Sequence, residues 1–291
     1  MFRRTLIQAL SGVGMLVSAA AAWGYTAGID EFKVIRDGST YFLDAFGDGL
    51  EPPQSPAQTS AFGCDPTCYF TTAGGFPDGS ETGGRLQMNT AFGVHTTNAI
   101  GTPVQTQRAT LSLGTAPTPS QGLQAHRTFE VSALFDFAVP GAGESFSLRL
   151  TDRTTGNTMD DYVQIQVGNP GGTAPQIRFR EQDFVANVIT EFDSDPISAA
   201  SGDQVRLILS HPTANTSTIF AAYEFFKVGV SQGIVSMSGS VDIYSDEIWT
   251  RPEFAISAAV PEPETYLLMA IGLALVSGMA ARARRRPSVS A

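Results

Sequence analysis

The chain is poor in the residues that most often carry chemistry. It holds two cysteines, three histidines and two tryptophans in 291 residues, and only 16% of it is charged. His95, His126 and His211 are far apart and sit in no catalytic or metal-binding spacing. There is no Gly-x-Ser-x-Gly elbow, no His-Glu-x-x-His pair and no phosphate-binding loop. No stretch of the central part shows a 3.6-residue apolar period, which excludes a helical bundle. Clusters of basic residues are missing from that part as well. Setting aside Arg3, Arg4, Arg282, Arg284, Arg285 and Arg286 at the ends, with Glu262 and Glu264, leaves 12 basic against 26 acidic residues, a net of −14. Such a surface does not neutralise phosphates, so neither nucleic acid nor anionic lipid is an expected partner of the body.

What the chain does have is turns and alternation. The 29 Gly and 17 Pro residues point to many short strands. The 42% hydrophobic content is too high for disorder. Phe129, Val131, Ala133, Phe135 and Phe137 alternate with polar residues, and so do Phe146, Leu148 and Leu150. Val163, Ile165 and Val167, then Ile177 and Phe179, then Val205, Leu207 and Leu209 repeat the pattern. A period of two means a sheet with one face on a core. Gly- and Pro-rich segments separate these runs, as in Pro140-Gly141-Ala142-Gly143 and Ser201-Gly202-Asp203. The expectation is an all-β, two-sheet antiparallel β-sandwich over residues 25–258.

Both ends differ from this body. Residues 1–24 open with Arg3 and Arg4, continue through an uncharged stretch, and reach small residues at Ala19 to Ala22. That order is expected of a secretory signal peptide with its short signal helix. At the other end, Pro261-Glu262-Pro263 precedes an uncharged run from Tyr266 to Ala281, followed by Arg282, Arg284, Arg285 and Arg286. Sixteen uncharged residues, 266–281, are just short of the usual span of about 17–25 for a transmembrane helix. The arginines belong on the cytoplasmic side. Prolines flanking Glu262 keep that segment extended, the form a protease-like cleft binds.

Residues 259–291 thereby resemble the PEP-CTERM sorting tail of Gram-negative bacteria: a Pro-Glu-Pro motif, a short apolar helix and an Arg-rich end. The resemblance implies recognition of Pro261, Glu262 and Pro263 by exosortase, a membrane-embedded processing enzyme. It makes the four arginines a stop-transfer signal and the apolar segment a temporary inner-membrane anchor. It also implies a bacterium that makes exopolysaccharide or biofilm matrix, with the protein ending at the cell surface or in that matrix. The body is similar in a general way to concanavalin-like jelly rolls, through Tyr41 to Gly49 and Gly84 to Met88. That class commonly binds carbohydrate.

Four sets of residues are candidates for more than structure. Cys64 and Cys68 lie in a turn-rich segment of an exported chain, and a disulfide is expected between them. Tyr244 and Trp249 are the aromatics best suited to a ligand surface. Glu191, Asp193 and Asp195 alternate like the carboxylates of jelly-roll glycosidases, but Pro196 follows where a second glutamate is needed. These three, Asp160 with Asp161, and Asp44 with Asp48 carry oxygen ligands of the kind Ca2+ takes. No cofactor is expected. The reading is a non-enzymatic structural or carbohydrate-binding protein, the alternative being a secreted carbohydrate-active hydrolase with the same tail.

Overall fold

Alternation in the sequence becomes strands that are dry on one side. The computed structural model describes residues 25–46, 68–70, 80–81, 83–90, 94–97, 105–114, 123, 125–152, 162–169, 174–183, 188–216, 218–242, 250–259 and 277. In chain order the strands are β1 (Thr26–Arg36), β2 (Ser39–Asp44), β3 (Cys68–Phe70), β4 (Ser80–Glu81), β5 (Leu86–Asn89), β6 (Val94–Thr97), β7 (Gln105–Gly114), β8 (Phe129–Asp136) and β9 (Ser145–Asp152). They continue as β10 (Tyr162–Gly168), β11 (Gln176–Asp183), β12 (Val188–Pro196), β13 (Gln204–His211), β14 (Thr218–Lys227), β15 (Val230–Ser236), β16 (Val241–Asp242) and β17 (Thr250–Ala259). No helix among the described residues is long and apolar enough to cross a membrane. The expected signal helix and the helix over 266–281 lie outside the described residues.

The strands form two antiparallel sheets. The first runs β15-β14-β13-β8-β1-β5-β4, with β2 on β1 and β16 on β14. The second runs β12-β11-β10-β9-β17-β7-β3, with β6 on β7. Asp37 and Gly38, both at positive φ, make the two-residue turn between β1 and β2. The chain crosses to the second sheet after β8, runs the meander β9 to β12, and returns as β13 beside β8.

Every apolar position singled out by alternation is buried, and all join one core cluster. The cluster draws on both sheets, so their inner faces pack together as a sandwich. Aromatic rings stitch the two layers. Phe135 of β8 lies 4.8 Å from Phe146 of β9 between ring centroids. Phe32 of β1 meets Phe254 of β17 edge-on at 5.2 Å. On the side of the first sheet away from this core, charges pair with one another. Arg206 bonds Glu224 at 3.0 Å and reaches Glu31 at 3.4 Å, and Arg85 bridges Asp30 and Asp136 at 3.0 and 2.8 Å.

Candidate functional site

The three carboxylates of β12 do not form one row. Asp195 pairs with Ile177 and Asp193 with Phe179, both core positions of β11. The register then shifts, and Glu191 pairs with Arg180, which points the other way. This bulge puts one extra residue, Phe192, against Phe179 at 5.5 Å and turns Glu191 to the opposite face. There Glu191 lies 3.3 Å from Arg178. Asp193 accepts the Ser238 N–H at 2.6 Å and the Ser194 N–H at 3.0 Å. The Ser238 bond is the main reason its carboxyl is held below the usual range. Asp195 accepts the Tyr223 hydroxyl at 3.1 Å, which ties the second sheet to the first. Burial first, and that bond second, push the Tyr223 phenol up to about 12. Asp195 is thus held by a partner on the first sheet, Asp193 by the Ser238 and Ser194 amides, and Glu191 by a neighbour in its own sheet.

The side of the second sheet away from the core is polar, yet much of it is buried. Registration places Glu253, Arg149, Gln164, Arg180 and Glu191 in one row across β17, β9, β10, β11 and β12. Adjacent rows hold Ser147, Gln166 and Arg178, and Thr151, Tyr162 and Gln182. Gln164 is 0%, Glu253 2%, Gln182 3% and Arg149 5% exposed. The side chains lie along the face and bond one another. Gln164 donates to Gln166 at 3.0 Å, Arg149 Nε donates to Ser147 at 3.2 Å, and the Tyr162 hydroxyl donates to Gln182. The Arg149 guanidinium stacks 4.4 Å above the Tyr162 ring. Its Nη1 is 3.5 Å from Glu253, an ion pair without hydrogen-bond geometry. Burial pushes the Arg180 guanidinium below its ordinary value.

Several polar atoms of this face have no hydrogen-bond partner: Gln164 Oε1, Gln182 Nε2 and Thr151 Oγ1. Leaving such a group buried and unpaired costs about 1–3 kcal/mol, so each demands a reason. An acceptor, a donor and a hydroxyl on one face suit a partner that both donates and accepts. The sequence gives the residue types at alternate positions, off the core face. Their burial comes from the fold.

The remaining candidates are scattered. Cys68 opens β3 opposite Gly114 of β7, while Cys64 lies outside the described residues, as does any pairing between them. Tyr244 and Trp249 also lie outside them, as do Asp48, Asp160 and Asp161. Asp44 accepts the Phe46 N–H at 2.8 Å. His211 is buried, stacked on Phe129 at 5.1 Å, with ring nitrogens 2.7 Å from the Arg127 and Thr216 carbonyls. It is a structural histidine. His126 is exposed, and His95 falls in β6. Among the described residues no three His, Cys, Asp or Glu side chains gather as a metal site.

The last strand leads straight into the tail. β17 runs between β9 and β7 in the middle of the second sheet, and its final pair is Ala259 with Thr106. Pro261, Glu262, Pro263 and the four arginines follow, outside the described residues. No curated protein matches the chain. A family comparison does match residues 259–286. A chain with that signal is exported, anchored in a membrane as a sorting intermediate and processed by exosortase. From Ala259 onward, then, the chain carries the PEP-CTERM protein-sorting motif.

Proposed function

We propose that the body is a non-enzymatic jelly-roll sandwich that binds carbohydrate at the cell surface or in an exopolysaccharide matrix once exosortase has processed its tail. The sorting motif at residues 259–286 supports the export route. The binding reading rests on the polar outer face of the second sheet, where Gln164 and Gln182 of adjacent rows hold an unpaired acceptor and donor below Gln166, Arg178 and Glu191, which reach the surface. The Arg149–Tyr162 stack gives that face a planar element beside the polar ones.

The bulge in β12 weighs against the hydrolase alternative. Retaining hydrolysis needs two carboxyl groups about 5 Å apart in complementary roles. Glu191 and Asp193 face opposite sides of the sheet, one held by Arg178 and the other by backbone amides. A glycan array probed with the processed protein tests the binding reading. The expected result is selective retention of one polysaccharide class. Absence of binding to any matrix polysaccharide refutes it, and β-glucan turnover abolished by Glu191→Gln installs the hydrolase instead. For sorting, cells with and without the processing enzyme are compared. Mature protein that keeps Arg282 to Arg286 in both refutes processing.

A further inference from the structure

The tail and one hairpin leave the sandwich at the same end. There Ser257 of β17 pairs with Ser145, the first residue of β9. Phe137, just past β8, lies 6.1 Å from both Phe146 of β9 and Phe225 of β14 between ring centroids. In the first sheet Asp136 pairs with Gln204, and Gln204 with Phe226 near the end of β14. β17 runs on to Ala259, two residues past Ser257, and β14 turns into β15 at Val228, two residues past Phe226. The tail exit and the β14–β15 tip therefore project by similar distances, about 7 Å. From Ala259 to Tyr266, where the uncharged run of the tail starts, the chain reaches at most about 25 Å. An anchored tail keeps this end of the sandwich within that distance of the bilayer.

This end is built unlike the rest of an acidic body. Val228 and Gly229, both at positive φ, make the hairpin tip. A two-residue turn of this kind favours Asn-Gly, and a β-branched residue rarely takes the left-handed conformation. Val228 nevertheless holds φ 50° with 95% of its surface exposed. Val230 beyond the turn is 63% exposed, and Val139 of the β8–β9 connection 47%. Lys227 flanks the tip, and no acidic residue occurs from Phe225 to Val241. Among the described residues, the carboxylates of the connections at this end are turned back to backbone. Glu144 accepts the Gly141 N–H at 2.7 Å, and Asp203 accepts the Ala200 N–H at 3.0 Å. The far end exposes Val188 and Ile189 as well, but it carries Asp37 and Arg127 at its turns, and the tail does not leave there.

We propose that this end of the sandwich rests on the lipid bilayer while the tail is anchored, with Val228 and Val230 at the β14–β15 tip, and Val139 at the same end, entering the membrane interface. The exit of the tail selects the occupant, because it brings these side chains and no other exposed apolar group to the bilayer first. The contact is apolar and needs no anionic headgroup, so it does not depend on the charge that sets the body as a whole against anionic lipid. Weak contact suffices, since the anchor already holds the tip at high effective concentration beside the membrane. Processing of the tail removes the anchor and with it the contact.

Amide hydrogen exchange on the full chain in phosphatidylcholine nanodiscs, set against the processed protein in solution, tests this. Amides of residues 225–232 are expected to exchange about threefold or more slowly on the nanodisc. Those of residues 212–216, at the far end beyond His211, are expected to be unchanged. Val228→Asn/Val230→Thr suits the turn and keeps strand propensity while removing the apolar tip. In the anchored full chain it should return the 225–232 rates to those of the protein in solution, with the far-end rates showing that the fold is intact. Equal tip rates in the two wild-type forms overturn the proposal. So does slowing that the variant retains, because the end is then near the membrane without entering it. Equal slowing at both ends overturns it too.

Discussion

Replacing Gln164 with methionine separates a binding face from a structural one. Gln164 is fully buried on the polar side of the second sheet. Its Oε1 has no partner, and its Nε2 donates to Gln166 at 3.0 Å. Removing the orphaned acceptor returns about 1–3 kcal/mol, while losing the amide bond costs about 0.5–1.5 kcal/mol. Gln166 is half-buried and can turn to water once released. Methionine has nearly the same volume and reach, so no cavity term enters. The balance centres on a gain of about 1 kcal/mol, or about 2–4 °C in melting temperature for a domain of this size. If glycan binding opens this face so that Oε1 receives a sugar hydroxyl, the same change weakens binding by about tenfold to a hundredfold. A thermal melt and a glycan titration on the same preparation read both effects. Stability up with binding down is the expected pair. A fall of several degrees with binding intact refutes the reasoning, because the row is then packing.

Three further outcomes follow from the geometry. Because the Ser238 N–H depresses the Asp193 carboxyl, its contribution is present above the ordinary aspartate range and lost as pH falls through about 4 and below. Asp193→Asn should be less stable than wild type at neutral pH, with the gap closing in acid melts. The Tyr223 phenol is raised to about 12, so its contribution is intact below about 10 and lost as pH rises from there to 12. Tyr223→Phe should flatten that alkaline loss. A chain stopped at Ala259 keeps both ladders of β17 and should melt like wild type, whereas one stopped at Asp242 removes Phe254 and Ile256 from the core and should not fold, as circular dichroism will show.

Much of the sandwich was legible because its strands obey a simple rule. The runs at Phe129, Phe146, Val163, Ile177 and Val205 alternate cleanly, and each is a strand with those residues inside. β17 was harder. Pro252 and Glu253 read against a central strand. Pro252 is tolerated because the ladder to β7 begins only at Glu253, so its missing N–H interrupts nothing there. β1 mixes Asp30, Glu31 and Lys33 among its apolar residues, and a bulge between Ile29 and Glu31 shifts which positions face in. The same kind of register shift hid the fate of the β12 carboxylates. In sequence, Glu191, Asp193 and Asp195 share a face. One extra residue in the ladder splits them, and only pairing with β11 reveals it. The polar row of the second sheet was invisible for a different reason. Glu253 and Gln164 are 89 residues apart, and burial of polar side chains leaves no mark in their spacing.

The seating of β17 also governs how the protein bears load. While the tail is anchored, a pull from the membrane enters the described fold at Ala259, the end of β17. Seven registered pairs to β7 and eight to β9 hold that strand on both sides, where an edge strand would be held on one. Force on the tether is therefore spread over the centre of a sheet. A cut beyond that strand would leave the folded sandwich whole.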